Sequence, residues 1–149
     1  MTAFRHHLPH VHAAVVYFEQ LTLANVDQLG RLFHAEARFK DPFNEVQGLP
    51  RIQHLFRHMF AQVNSPRFVI HQVVAEGRQC FLTWDFCFER RSGTNDTLTV
   101  RGATHWQFDS DGLITNHRDY WDAAEELYEK LPLLGRLMRW LRRQASAGA

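Results

Sequence analysis

No stretch of this sequence approaches the roughly 20 consecutive apolar residues that a membrane-spanning helix requires, so a transmembrane protein is not expected. Cysteine is scarce as well. Cys80 and Cys87 are the two present, seven apart in what reads as one strand, which sets them on opposite faces. They cannot pair there, and no CxxC occurs, so a reducing compartment is the natural setting. The N-terminal segment carries no signal-peptide pattern, and a cytoplasmic location is expected. Lysine is nearly missing: Lys40 and Lys130 stand against 15 arginines. The net charge is only +1 with histidine neutral. That balance argues against nucleic acid as a global partner. Internal repeats and low-complexity linkers are lacking too.

What is present suits a single domain over 1–149, with 122–149 as a C-terminal helical extension. At 149 residues a fold can bury roughly 70% of its unfolded surface without a covalent staple. Twelve Phe and four Trp fit either a pocket with a curved apolar wall or simply a Phe-rich core. Ten His make the charge sensitive to mildly acidic pH.

Helical spacing marks a first helix over His10–Leu23, with Val11, Val15 and Phe18 on one stripe. Asn25-Val26-Asp27 can cap a second over Asp27–His34. Ala37–Asp41 alternates like a short strand, which Pro42 ends. Asn44–Pro50 reads as a loop. Pro50 suits the first turn of an amphipathic helix reaching about Asn64, stopped by Ser65-Pro66, with Ile52, Leu55, Phe56, Met59, Phe60 and Val63 apolar. Four strands follow: Arg67–Ala75, Gln79–Arg90, Thr97–Asp109 and Leu113–Trp121. Turns separate them at Glu76-Gly77-Arg78, Ser92–Asp96 and Ser110-Asp111-Gly112. A helical tail starts near Asp122, breaks at Pro132 and resumes as Leu133–Arg143. The fold class is α+β: a curved, largely antiparallel sheet, helices on one face, wrapped as a cone around an enclosed hollow.

Several segments, in order and spacing, resemble the NTF2-like superfamily over residues 10–122. They are Leu32-Phe33-His34-Ala35-Glu36-Ala37, Phe39-Lys40-Asp41-Pro42 followed by Gly48, His105-Trp106-Gln107-Phe108, and Gly112-Leu113-Ile114-Thr115-Asn116-His117-Arg118-Asp119-Tyr120-Trp121-Asp122. That superfamily includes ketosteroid isomerases, SnoaL-type polyketide cyclases and limonene-epoxide hydrolases. The resemblance implies an NTF2-like cone, a homodimer and a small apolar molecule in the hollow, with no organic cofactor and no metal. It speaks for the fold more than for any one activity.

By that resemblance Asp41, in the Asp-Pro pair, is the general base; the other reading is an Asp that begins a turn. Tyr17, 24 residues earlier, matches the isomerase's oxyanion donor, a pattern described for that enzyme; it could equally be a core-edge tyrosine. The isomerase's acidic second donor falls on Thr104. Asp119 matches one water-activating carboxylate of the epoxide hydrolases, and Asp85 the other. Their intervening Arg falls on Thr83 and their Asn on Asp41, so epoxide hydrolysis is disfavoured. Asp85 also stands alone as a charge amid apolar neighbours, needing solvent or a partner such as an Arg. Thr83, Asp85 and Cys87 share one strand face, and Trp84, Phe86 and Phe88 the other.

Counting outward from the Ser110-Asp111-Gly112 turn sets His105 opposite His117. Such a pair could act in acid–base work, hold a metal or be structural. Lining of the hollow is expected from Phe39, Phe56, Phe60, Trp84, Thr104, Trp106, His117 and Trp121. The tail over 133–143 carries Leu134, Leu137, Met138 and Leu141 on one stripe with four arginines around it. It fits an anionic membrane surface with Trp140 at the headgroups, or a cap on the domain, or a dimer contact. The leading expectation is a proton-transfer enzyme, of isomerase, cyclase or dehydratase type, for an apolar carbonyl compound. The alternatives are a non-catalytic binding module for an apolar ligand or protein partner, and a lipid-associated accessory protein.

Overall fold

The computed structural model describes residues 8–90, 96–127 and 132–145. Helix α1 (Pro9–Glu19) opens with a proline in its first turn, where no N–H is needed. It buries Val11, Ala14, Val15 and Phe18, the spacing of one helical face. A short 3-10 helix, Val26–Arg31, replaces the α-helix expected over Asp27–His34. The sheet takes the end of that segment: β1 (Phe33–Lys40) begins at Phe33, and the Ile114 N–H donates to the Leu32 carbonyl at 2.7 Å. Backbone pairing to a buried strand outweighs the local helical preference.

The loop expected over Asn44–Pro50 holds a three-residue strand, β2 (Glu45–Gln47), antiparallel to β1. Gly48 follows at φ 99°, which only glycine adopts readily, and it turns the chain into α2 (Leu49–Ala61). The strand after α2 starts earlier than expected. β3 (Asn64–Glu76) takes in Ser65 and Pro66 through an irregular first pairing, so these residues open a strand. The expected meander then follows as β4 (Gln79–Glu89), β5 (Thr97–Phe108) and β6 (Ile114–Tyr120). Of the β4–β5 hairpin loop expected at 92–96, residues 92–95 lie outside the described residues, as do 91 and 128–131.

The six strands form one sheet in the order β2-β1-β6-β5-β4-β3. β1 and β6 are parallel and the other pairs antiparallel. α1 and α2 cover one face, and α3 (Ala123–Glu126) and α4 (Pro132–Ala145) follow β6. On the opposite face Val74, Phe81 and Tyr120 are exposed. No helix among the described residues is long and apolar enough to cross a membrane.

The aromatic richness serves both purposes open in the sequence. Phe18, Phe33 and Trp106 are core rings, with Phe18 against Phe33, Phe56, Phe68 and Trp106 at 5.5–6.3 Å. Phe39, Phe68, Phe86 and Phe88 face a cavity. Cys80 and Cys87 are both free and buried. Burial pushes the Cys80 thiol from 9.0 up to about 11. Because the folded value lies above the unfolded one, the stability linked to the neutral thiol is complete below pH 9.0 and lost as pH rises through about 11. Iodoacetamide at about pH 8 should therefore leave Cys80 unmodified in the native protein and label it in denaturant, read by mass spectrometry. Labelling of native Cys80 at the denatured rate would contradict its burial.

Candidate active site

The concave side of the sheet and α2 enclose a cavity of about 790 Å³. Phe39, Phe56, Phe68, Trp84, Phe86 and Trp121 form much of its wall. α2 divides its apolar residues between two jobs. Ile52, Phe56 and Phe60 are buried, while Leu55 and Met59 line the cavity beside Phe56, joined by Val63 just past the helix. Phe60, expected at the wall, packs in the core against Phe68 and Phe86 at 6.2 and 6.0 Å. Arg51, His54 and His58 join the lining from the exposed side of α2, and Gln62 from its C-cap.

The chemistry sits where β4, β5 and β6 run side by side. Thr104 pairs with Asp119 across β5 and β6, and Trp106 with His117. This is not the register counted from the turn. An extra residue, Thr115, breaks the ladder between the pairs Gln107–Asn116 and Phe108–Ile114. Such a bulge shifts every later pair by one and changes which residues meet. His105 therefore faces His117 neither in register nor in space. It lies opposite Arg118, stacks on Phe81 at 4.2 Å, and its Nε2 bonds Gln79 Oε1 at 2.7 Å, on the sheet's outer face. Burial lowers the His105 pKa.

On the inner face one bonded chain links five side chains. The Trp106 indole N–H donates to His117 Nδ1 at 2.9 Å, and His117 Nε2 meets Asp119 Oδ1 at 2.7 Å. An indole nitrogen can only donate, so Nδ1 must accept, and the proton of the ring lies on Nε2. His117 is thereby fixed as the donor to Asp119, with Phe39 stacked on its ring at 4.7 Å and Phe33 at 5.9 Å. In parallel, the Trp84 indole N–H donates to Thr104 Oγ1 at 2.7 Å, and Thr104 Oγ1 donates to Asp119 Oδ1 at 2.5 Å. Both indoles spend their single proton orienting a donor to one carboxylate oxygen.

Oδ1 of Asp119 is thus held by two donors. Oδ2 has no hydrogen-bond partner among the described residues, and it is not a buried orphan either. Asp119 lines the main cavity, a recess of about 20 Å³ and an outer groove. The side chain of Asp119 is 16% exposed and that of His117 is 4%. The recess, shared with His117, Trp106 and Thr104, has room for a single water.

The other expected catalytic residues take no part in this chain of hydrogen bonds. Asp41 lies at the lip of the cavity, and its carboxylate is occupied by its own turn. Oδ1 accepts from the backbone N–H groups of Phe43 at 2.8 Å and Asn44 at 2.6 Å, and both oxygens accept from Asn44 Nδ2 at 3.1 Å. That is the turn-forming use of an Asp before Pro. Tyr17 is not brought to the cavity: its hydroxyl donates to the Asn25 carbonyl at 2.7 Å, and burial pushes its pKa up to about 12. Asp85 is on the outer face, as the strand alternation requires, paired with His71 Nε2 at 3.0 Å. Asp85 and Asp119 therefore lie on opposite faces of the sheet and cannot activate one water together. No grouping of three or more His, Cys, Asp or Glu among the described residues could hold a metal ion.

Gly102 makes room for this arrangement. It stands opposite Trp84 across β4 and β5, and a Cβ there would lie 2.5 Å from two atoms of the indole ring. Gly102→Ala should therefore displace Trp84 and cost about 1–3 kcal/mol of stability, measured by urea unfolding. Adding Trp84→Leu should relieve the clash. A Gly102→Ala protein as stable as the parent would contradict this packing.

Comparison with known proteins agrees with the geometry. Residues 14–117 match the SnoaL-like domain family. No curated protein matches the sequence significantly. Among solved structures, a candidate SnoaL-like polyketide cyclase from Jannaschia sp. CCS1 superposes with a TM-score of 0.68 at 14% identity, covering 82% of this chain and 94% of that one. A hypothetical protein of ketosteroid isomerase-like fold from Catenulispora acidiphila, solved with trimethylamine, gives 0.68 at 19% identity, covering 80% and 89%. An LEH-like epoxide hydrolase from Mycobacterium tuberculosis gives 0.67 at 19% identity, covering 89% and 96%. Identities this low establish a shared NTF2-like fold and leave the chemistry to the site itself.

Proposed function

This chain belongs to the SnoaL-like domain family, and from that premise we propose that it catalyses proton transfer on an apolar carbonyl compound, with Asp119 as the group that takes and returns the proton. One observation carries the reading. Asp119 lines a large apolar cavity with Oδ2 left without a hydrogen-bond partner among the described residues, while His117 and Thr104 hold Oδ1. A carboxylate held in this way is oriented before substrate arrives, so little reorganisation is needed in the transition state.

In the reaction proposed, the carbonyl compound lies against Phe39, Phe56 and Trp84. Asp119 Oδ2 removes a proton from the carbon next to the carbonyl. The C–H electron pair forms a C–C double bond, and the carbonyl oxygen gains the negative charge. Asp119 then returns the proton. Delivery to another carbon gives an isomerase; attack of the new carbanion on a second carbonyl, with the proton passing to the resulting alkoxide, gives a cyclase. His117 and Thr104 keep their protons throughout, because each is tied to a further indole donor. They are positioning residues for Asp119.

Solvent-deuterium exchange tests this without knowledge of the natural substrate. A panel of apolar ketones in D₂O, followed by proton NMR, should show enzyme-dependent loss of the hydrogens next to the carbonyl. Tryptophan quenching run in parallel reports binding. Ketones that bind and show no exchange would refute the catalytic reading and favour a binding module.

A further inference from the structure

The family site leaves one element unused, the C-terminal helix α4. From Arg136 to Ala145 every described side chain on it is exposed. Leu137, Trp140 and Leu141 are among them, at 51%, 50% and 44% exposure. A soluble helix buries its apolar residues, and a helix this short has little stability of its own in water.

The arrangement around the helix is ordered. At about 100° per residue, Leu137 and Leu141 lie about 40° apart on one side. Arg136, Arg139 and Arg143 fall within a separate arc of about 60°. Trp140 lies between the two arcs, about 40° from Arg136 and about 60° from Leu137. The helix has four arginines and no acidic residue, although the whole chain is close to neutral. Leucines on one side, cations on the other and an indole at the boundary match the layering of a bilayer surface: acyl chains, headgroup interface and anionic phosphate. A protein partner of mixed surface charge would not require a helix with cations alone.

We propose that α4 is a membrane-surface helix that attaches this protein to an anionic lipid bilayer. It lies flat, with Leu137 and Leu141 among the acyl chains, Trp140 at the headgroup level and Arg136 and Arg143 against lipid phosphates. This stands on the helix alone and is independent of the chemistry proposed for Asp119.

The test is co-sedimentation of the full chain with two kinds of vesicle, phosphatidylcholine alone and phosphatidylcholine mixed equally with phosphatidylglycerol. Binding is expected to the anionic vesicles only, and it should weaken with added salt. Each cation at such a surface is worth roughly a fivefold gain in affinity, so Arg136→Gln and Arg143→Gln together should weaken binding about 25-fold. Leu137→Gln with Leu141→Gln should also release the protein. Both sets keep good helix formers, and circular dichroism checks that the fold is retained. No binding to anionic vesicles, or equal binding to neutral ones, would overturn the proposal. So would a leucine variant whose main effect, in sedimentation without lipid, is loss of self-association, because α4 would then serve a second copy of the chain.

Discussion

Asp119→Asn should lower the rate of proton exchange on a bound ketone by about a thousandfold while leaving ligand affinity intact. The substitution is close to isosteric. The asparagine oxygen at the Oδ1 position can still accept from His117 Nε2 and Thr104 Oγ1, which now lie 2.7 and 2.5 Å away. The remaining position, which has no hydrogen-bond partner among the described residues, becomes an NH₂ group, which cannot take a proton. Binding relies on the apolar wall, which is unchanged. Steady-state rates and tryptophan quenching on the same preparation separate the two effects. A loss of affinity matching the loss of rate would place Asp119 in ligand binding instead.

The second large effect is on stability. His117→Phe should lower the unfolding free energy by about 2 kcal/mol and slow exchange as well. The new ring fits between Phe33 and Phe39, so packing survives. What is lost is the acceptor for Trp106, leaving a buried indole N–H unpaired, and one of the two donors to Asp119. The cost of an unpaired buried donor disappears when its own group is removed. Trp106→Phe added to His117→Phe should therefore cost less than the two single changes summed, as a double-mutant cycle in urea unfolding reads directly. Additive costs would mean that the Trp106–His117 hydrogen bond contributes nothing. The exchange rate should not recover in the double variant, because Asp119 still lacks its donor.

Much of the fold was legible in the sequence because long periodic segments leave little choice. The four-strand meander, α1 and α2 each carry a clear apolar pattern, and the structure places them within a few residues of expectation. The misread segments were short and governed by distant partners. Phe33 starts a strand through pairing with Ile114 of β6, and β2 pairs with β1. The site was less legible, for one main reason. A single bulged residue, Thr115, moves the β5–β6 register by one. Nothing in a period-two pattern announces it, and it takes His105 off the inner face, which His117 and Asp119, two apart on β6, share by alternation. Asp85 could be judged from alternation alone, since Trp84 and Phe86 claimed the inner face. The tryptophans were expected as wall residues. Their role as hydrogen-bond donors to His117 and Thr104 depends on cross-strand neighbours that no local spacing encodes.

The sequence by resemblance pointed to Asp41 as the base, and the structure offers Asp119. The most direct measurement is the deuterium-exchange rate of Asp41→Asn beside that of Asp119→Asn, on one ketone that binds both. Asp119→Asn should abolish exchange. Asp41→Asn should keep most of it, because an asparagine oxygen can still accept the two backbone N–H groups that hold the 41–44 turn. Exchange lost in Asp41→Asn and retained in Asp119→Asn would contradict the account.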